Sequence, residues 1–185
     1  MKHPLLIVTL SVFLSFNSFS QVKQIELQAA GLTCSMCSKA VFKALSGVAF
    51  VKDVKADIKT SSYTIHLKDE NVFDFDALKK AVEGAGFSVA RLNANINFSN
   101  TKIENDSHVK YEGKIFHFMN VKSQSLNGEH TISLLDKNFV TTKEFKANNK
   151  FTTMKCYETG TMQSCCSNKT TGRLGERIYH VTLKS

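Results

Sequence analysis

Between Gln24 and Leu92 the spacing of apolar residues switches repeatedly between two and about 3.6, and this alternation constrains the fold most. Ile25, Leu27 and Ala29 alternate with Gln24, Glu26 and Gln28, as in a strand with one buried face. Cys37, Ala40, Val41, Ala44, Leu45 and Val48 then form one helical stripe, which Gly47 ends. Val54, Ala56 and Ile58 alternate with Lys55, Asp57 and Lys59. Tyr63, Ile65 and Leu67 alternate with Thr64, His66 and Lys68, and Thr60-Ser61-Ser62 suits the hairpin between these two strands. Asp74 fits a helix N-cap and Asp76 the first turn. Phe75, Leu78, Ala81, Val82 and Ala85 form the second stripe, ended by Gly84 and Gly86. Phe87-Ser88-Val89-Ala90-Arg91-Leu92 opens a last strand that can run toward Phe98.

The order strand, helix, strand, strand, helix, strand over about 70 residues predicts an α+β domain of ferredoxin-like βαββαβ form. Two helices cover one face of a four-stranded antiparallel sheet, and a single core suffices. Within this frame Gly31-Leu32-Thr33-Cys34-Ser35-Met36-Cys37 joins the first strand to the first helix. Cys34 falls in the loop and Cys37 in the first turn. Unpaired N–H groups and the positive dipole end at such a place favour thiolate, the form that binds soft metals.

This loop resembles that of the heavy-metal-associated domain of copper chaperones, copper-transporting ATPases and periplasmic mercury-binding proteins. The family pattern is Gly-Met-Thr-Cys-x-x-Cys followed by a helix. Leu32 stands here where methionine is usual, and the resemblance implies that it packs beneath the loop without ligating. Gly84-Ala85-Gly86-Phe87 is similar to the family's second turn, which lies beside the metal loop. The resemblance implies that Cys34 and Cys37 hold the metal, that Gly31 and Thr33 shape the loop, and that Phe87 shields it. It covers about residues 22–92 and leaves the rest of the chain unexplained.

Two loop thiolates suit copper(I), silver(I) and mercury(II), which accept near-linear coordination, better than hard cations. Copper(I) is the first expectation, with mercury, silver, zinc and cadmium as other soft ions for the pair. Zinc wants four ligands, and only two lie close by. An open two-ligand site admits a third thiolate from a metal-donor or metal-acceptor protein, so the ion passes by ligand exchange. The expectation is a carrier or buffer without catalytic activity. A periplasmic mercury(II) scavenger is the alternative with the same chemistry. Cys-x-x-Cys at a helix start also suits a thiol–disulfide oxidoreductase. Thioredoxin-type enzymes resemble one another in a cis-proline facing the cysteines, and the only proline here is Pro4. A third class is a partner-binding module in which this domain is purely structural.

Lys2 and His3 precede the apolar run Leu5–Leu14, and small residues follow up to Ser20. Residues 1–20 read as a secretory signal peptide, with cleavage before Gln21. The run is short for a membrane span, and polar residues interrupt it from Ser15 onward. The expected product is periplasmic or secreted, with no stable membrane insertion once the signal is removed. The net charge of +8 is spread without a dense basic cluster, so nucleic acid is not an expected partner. Five cysteines is an odd number, so export would leave at least one thiol unpaired within a chain.

Asn, Ser and Thr dominate residues 93–108, which read as a linker. Residues 109–185 lean toward strand, expected at 114–121, 131–135, 151–157 and 177–183. Asn127-Gly128 signals a hairpin turn and residues 142–146 a short helix. The expectation is a second, β-rich domain, a small barrel or sandwich of OB-like kind. It carries Cys156, Cys165 and Cys166, with Met154, Met162 and His180 as neighbours. Cys156 bonded to Cys165 or Cys166 is one reading, and a weak second soft-metal site is the other. His66 reads as solvated, His117 as a hydrogen-bonded strand histidine, and His108 and His130 as loop residues.

Overall fold

The computed structural model describes residues 21–166 and 172–184. The signal peptide expected at residues 1–20 lies outside them. No helix among the described residues is long and apolar enough to cross a membrane.

The first part follows the expected order: β1 (Gln21–Ala30), α1 (Ser35–Ser46), β2 (Val51–Asp57), β3 (Ser62–Leu67), α2 (Phe75–Gly84) and β4 (Ser88–Ile103). Central β1 pairs antiparallel with β3 on one side and β4 on the other. Ile25, Leu27, Val54, Tyr63, Ile65 and Leu92 are buried beside Val41 and Leu45 of α1 and Phe75, Leu78 and Val82 of α2. β1 and β3 thus give one face to the helices, as their alternation requires, whereas in β2 only Val51 and Val54 are buried, and Ala56 and Ile58, expected on the same face, are exposed. Asp74 caps α2, with Oδ1 accepting from the N–H groups of Asp76 and Ala77.

The stretch expected as a linker is not one. Asn93 to Ile103 continue β4 without a break, paired with β1 up to Asn97 and with the next long strand on either side of a register shift between Phe98 and Thr101. That strand is β7 (Gln124–Leu134), and β5 (Ser107–Tyr111), β6 (Lys114–Phe118) and β8 (Ile178–Leu183) complete an eight-stranded sheet of order β2-β3-β1-β4-β7-β8-β6-β5. The barrel or sandwich expected for residues 109–185 is therefore replaced by an extension of the first sheet. The Asn-rich composition concealed this, because Ala94, Ile96, Phe98 and Ile103 still place apolar side chains in the core. The main apolar core likewise runs without interruption from Val22 to Val181.

Asn127-Gly128 does not form a hairpin turn. Gly128 sits within β7 opposite Phe98, at φ +80°, next to a register shift between Phe98 and Thr101. A residue free to take positive φ lets two long strands pass a bulge. The strand expected at 151–157 is also absent. A 3-10 turn (Asn149–Phe151) and a one-turn helix ending on left-handed Gly160 take its place. The short helix expected at 142–146 is present as α3 (Thr142–Asn148), closed by a capping box between Thr141 and Glu144. The one-turn helix is α4 (Cys156–Thr159).

Arg177 ties the two halves together. Its Nε donates to Asp76 Oδ2 of α2 at 2.8 Å, and its Nη1 donates to Asp136 Oδ1 at 2.8 Å. Burial alone would raise the Asp76 carboxyl, but Arg177 and Lys79 outweigh it and hold the group below the usual carboxylate range. A carboxyl depressed on folding stabilises above its unfolded pKa of about 3.9, and the gain is lost as pH falls through the folded value. Asp76→Asn is expected to cost about 1–2 kcal/mol at pH 7. Urea titrations at falling pH should then show a shallower acid loss of stability in the variant than in the parent.

Candidate metal centre

Cys34 and Cys37 stand where the sequence reading puts them. β1 ends at Ala30, and Gly31 turns the chain at φ +83°, a conformation that favours glycine. Leu32 is partly buried and packs against the main core. Cys34 is the N-cap of α1, its Sγ accepting from the Cys37 N–H at 3.3 Å. The two sulfurs lie 2.7 Å apart, and both cysteines are free thiols. Cys34 is exposed and Cys37 half-buried, so the pair opens to solvent.

The first turn of α1 carries no acidic residue, and the sulfur takes the place usually held by a carboxylate or hydroxyl cap. The Cys34 sulfur holds the Cys37 thiol below its ordinary pKa, with help from Thr33. Beneath the motif, Ser38 is buried, and the Tyr63 hydroxyl of β3 donates to its carbonyl at 3.2 Å. Gly86 turns at φ +87° and presents Phe87, whose ring edge lies 3.9 Å from where a Cβ on Gly31 would stand. Phe87 therefore borders the cysteine loop, as the second glycine turn suggests. Met36 is largely exposed beside the pair.

The second cysteine group is arranged differently from the expectation. No bridge joins Cys156 to Cys165 or Cys166, and all five cysteines are thiols. Cys165 is exposed, whereas Cys156 and Cys166 are fully buried. Burial, with Cys166 close by, pushes the Cys156 thiol well up. The Cys156 Sγ lies 3.7 Å from both His108 Nε2 and His117 Nδ1. His108 is thus a buried residue of β5, not a loop residue, and His130 likewise belongs to β7. His117 is hydrogen-bonded as expected, its Nε2 2.9 Å from Asp106 Oδ1. Burial and the neighbouring His180 and His108 lower its pKa to about 3, so it stays neutral. His66 pairs with Asp53 at 2.9 Å and is not simply solvated. Met154 and Met162 pack with Cys156 and Cys166 in one apolar cluster.

The first part of the chain matches known proteins. Residues 26–88 match the model of the heavy-metal-associated domain. The chain is 28% identical over 114 residues to a probable copper-exporting P-type ATPase of Archaeoglobus fulgidus. It is 38% identical over 66 residues to copper-transporting ATPase 2 of Rhizobium meliloti. These alignments cover 62% and 36% of this chain, but span only 13% and 8% of the relatives' own lengths. Among solved structures, the CopZ metallochaperone aligns at 24% identity and TM-score 0.34, over 37% of this chain and all of that one. Oxidized MerP from Ralstonia metallidurans aligns at 32% identity and TM-score 0.33, over 38% of this chain and 97% of that one. Residues 26–88 of this chain form a heavy-metal-associated domain.

Proposed function

We propose that this protein is an exported carrier or buffer of copper(I), which it holds between the Cys34 and Cys37 thiolates and passes on by ligand exchange. The observation that carries this reading is the pair of free sulfurs, 2.7 Å apart, on an exposed helix N-terminus. The ion is cargo. Two thiolates meet the coordination preference of a soft monovalent ion, and the open side leaves room for an incoming sulfur. A donor or acceptor thiolate attacks while one of the two cysteines still holds the ion. Transfer therefore needs no free ion in water. Gly31 fixes the loop, Thr33 and the Cys37 N–H contact the sulfurs, and Phe87 closes one side.

The names of the two ATPase relatives support copper as the cargo, and the apolar run at residues 5–14 supports export. Competition for copper(I) between the fully reduced protein and a chromophoric copper(I) chelator tests the reading. Uptake of one equivalent by the exposed pair is expected, without turnover in an insulin-reduction assay. Preference for mercury(II) over copper(I) in parallel titrations would instead make the protein a mercury scavenger. Sustained insulin reduction would make it an oxidoreductase.

A further inference from the structure

A second constellation lies on β8, β6 and β5, on the other side of β4 and β7 from β1 and the Cys34 loop that follows it. His108 and His117 face each other across the β5–β6 pair, their ring centroids 4.3 Å apart. His180 on β8 is the register partner of His117 across the parallel β6–β8 pair, with centroids 5.0 Å apart. Three imidazoles thus form one row across three strands, and α4 lays Cys156 against it. Donor atoms of His117, Cys156 and His180 lie within 4.8 Å of one another, as do those of His108, Cys156 and Cys166. His117, His180, Cys156 and Cys166 are fully buried, among Ile115, Met154, Met162 and Ile178.

A row of buried imidazoles and thiols costs stability unless each donor atom finds a partner. Carboxylates take one nitrogen of each of two rings. His117 Nε2 lies 2.9 Å from Asp106 Oδ1, and His180 Nδ1 lies 3.0 Å from Asp136 Oδ1. Such pairing fixes the tautomer and directs the other nitrogen's lone pair away from the carboxylate, as in carboxylate–histidine–metal arrangements. His180 Nε2 is buried and has no hydrogen-bond partner among the described residues. The spacing also suits an ion. Zinc bonds of about 2.3 Å to sulfur and 2.0–2.1 Å to nitrogen give a tetrahedral sulfur–nitrogen edge of about 3.6 Å. Cys156 Sγ lies 3.7 Å from His117 Nδ1.

We propose that Cys156, His117 and His180 form a buried site for zinc(II), distinct from the exposed copper(I) pair, with Cys166 drawn in as second thiolate from the neighbouring His108–Cys156–Cys166 group that shares Cys156. Charge selects the ion. Two thiolates neutralise a dication, whereas a monovalent ion would leave net negative charge in an apolar cluster. Binding releases the Cys156 and Cys166 thiol protons to solvent, and the full set of ligands closes the site. The ion there is structural, joining α4 and the Cys166 segment to β6 and β8. The proposal stands independently of the carrier reading.

The test uses the full chain carrying Cys34→Ser and Cys37→Ser, reduced and freed of metal. With zinc(II) alone, one equivalent is expected to bind with release of about two protons. Cobalt(II) should give the absorption of a tetrahedral thiolate site without any change to the buried residues. Asp106→Asn removes only the partly exposed partner of His117 and is expected to weaken zinc(II) about tenfold. Cys165→Ser should leave affinity unchanged. No zinc(II) uptake, a thiol count showing a Cys156–Cys166 bridge, or tighter binding of copper(I) than of zinc(II) at this site would overturn the proposal.

Discussion

Replacing both Cys34 and Cys37 by serine is expected to weaken copper(I) binding at the exposed loop at least about 1,000-fold, equivalent to about 4 kcal/mol. The fold should not suffer. Cys34 is exposed and Cys37 half-buried, and neither belongs to the main core. Serine is itself a favoured N-cap, so a hydroxyl at position 34 can accept the N–H that the sulfur now accepts. Thermal midpoints of parent and variant should agree within a few degrees while affinity collapses. Single replacements separate the sulfurs' roles. Either one leaves a lone thiolate, which can hold an incoming ion only with a partner's help. If the double variant keeps the parent's affinity in chelator competition, the loop is not the copper site.

Ile96→Ala should produce the largest loss of stability among single substitutions away from the cysteine and histidine clusters. Ile96 is fully buried in β4, opposite Val22 of β1 and His130 of β7. Removing most of its side chain leaves a cavity at the junction of the two halves. A loss of about 2–5 kcal/mol is the usual range for such a change. The continuous core makes a further demand. Circular dichroism and the exchange protection of β3 and β8 amides should fall together in one transition, at lower denaturant than in the parent. Separate transitions, with only one shifted, would show that the halves fold independently despite their shared strand.

The first part of the fold was legible because most elements there carry a clean period, β2 excepted, where Ala56 is exposed, as is Ile58 just beyond it. Ile25, Leu27 and Ala29 could only be a half-buried strand, and Asp74 and Gly47 mark helix ends by local chemistry. The cysteine loop was legible for the same reason, since Cys34 and Cys37 sit three residues apart at a predictable boundary. The second part depends on pairings that no short window contains. β4 pairs with β7 from Asn93 to Ile103 across one register shift, yet Asn93, Asn95, Asn97 and Asn100 give that stretch the composition of a loop. Gly128 carries the local signature of a turn, but its partner Phe98 makes it part of a bulge. The histidine row is the extreme case. His108, His117 and His180 meet only because β8 lies parallel to β6 and β5 folds back on it. His117 read as a hydrogen-bonded strand histidine, but no short window of sequence contains the residues it meets.

The shared strand also sets how the molecule can be subdivided. Cutting after Leu92 would follow the domain boundary expected from the sequence, yet it would remove Ala94, Ile96 and Phe98 and strip the partner from Gln21–Glu26 of β1. Bare main-chain groups beside freshly exposed Val22 and Ile25 would make such a fragment prone to stick to its own copies. A well-behaved short form bearing the cysteine loop would have to extend beyond Ile103 and bring β7 with it.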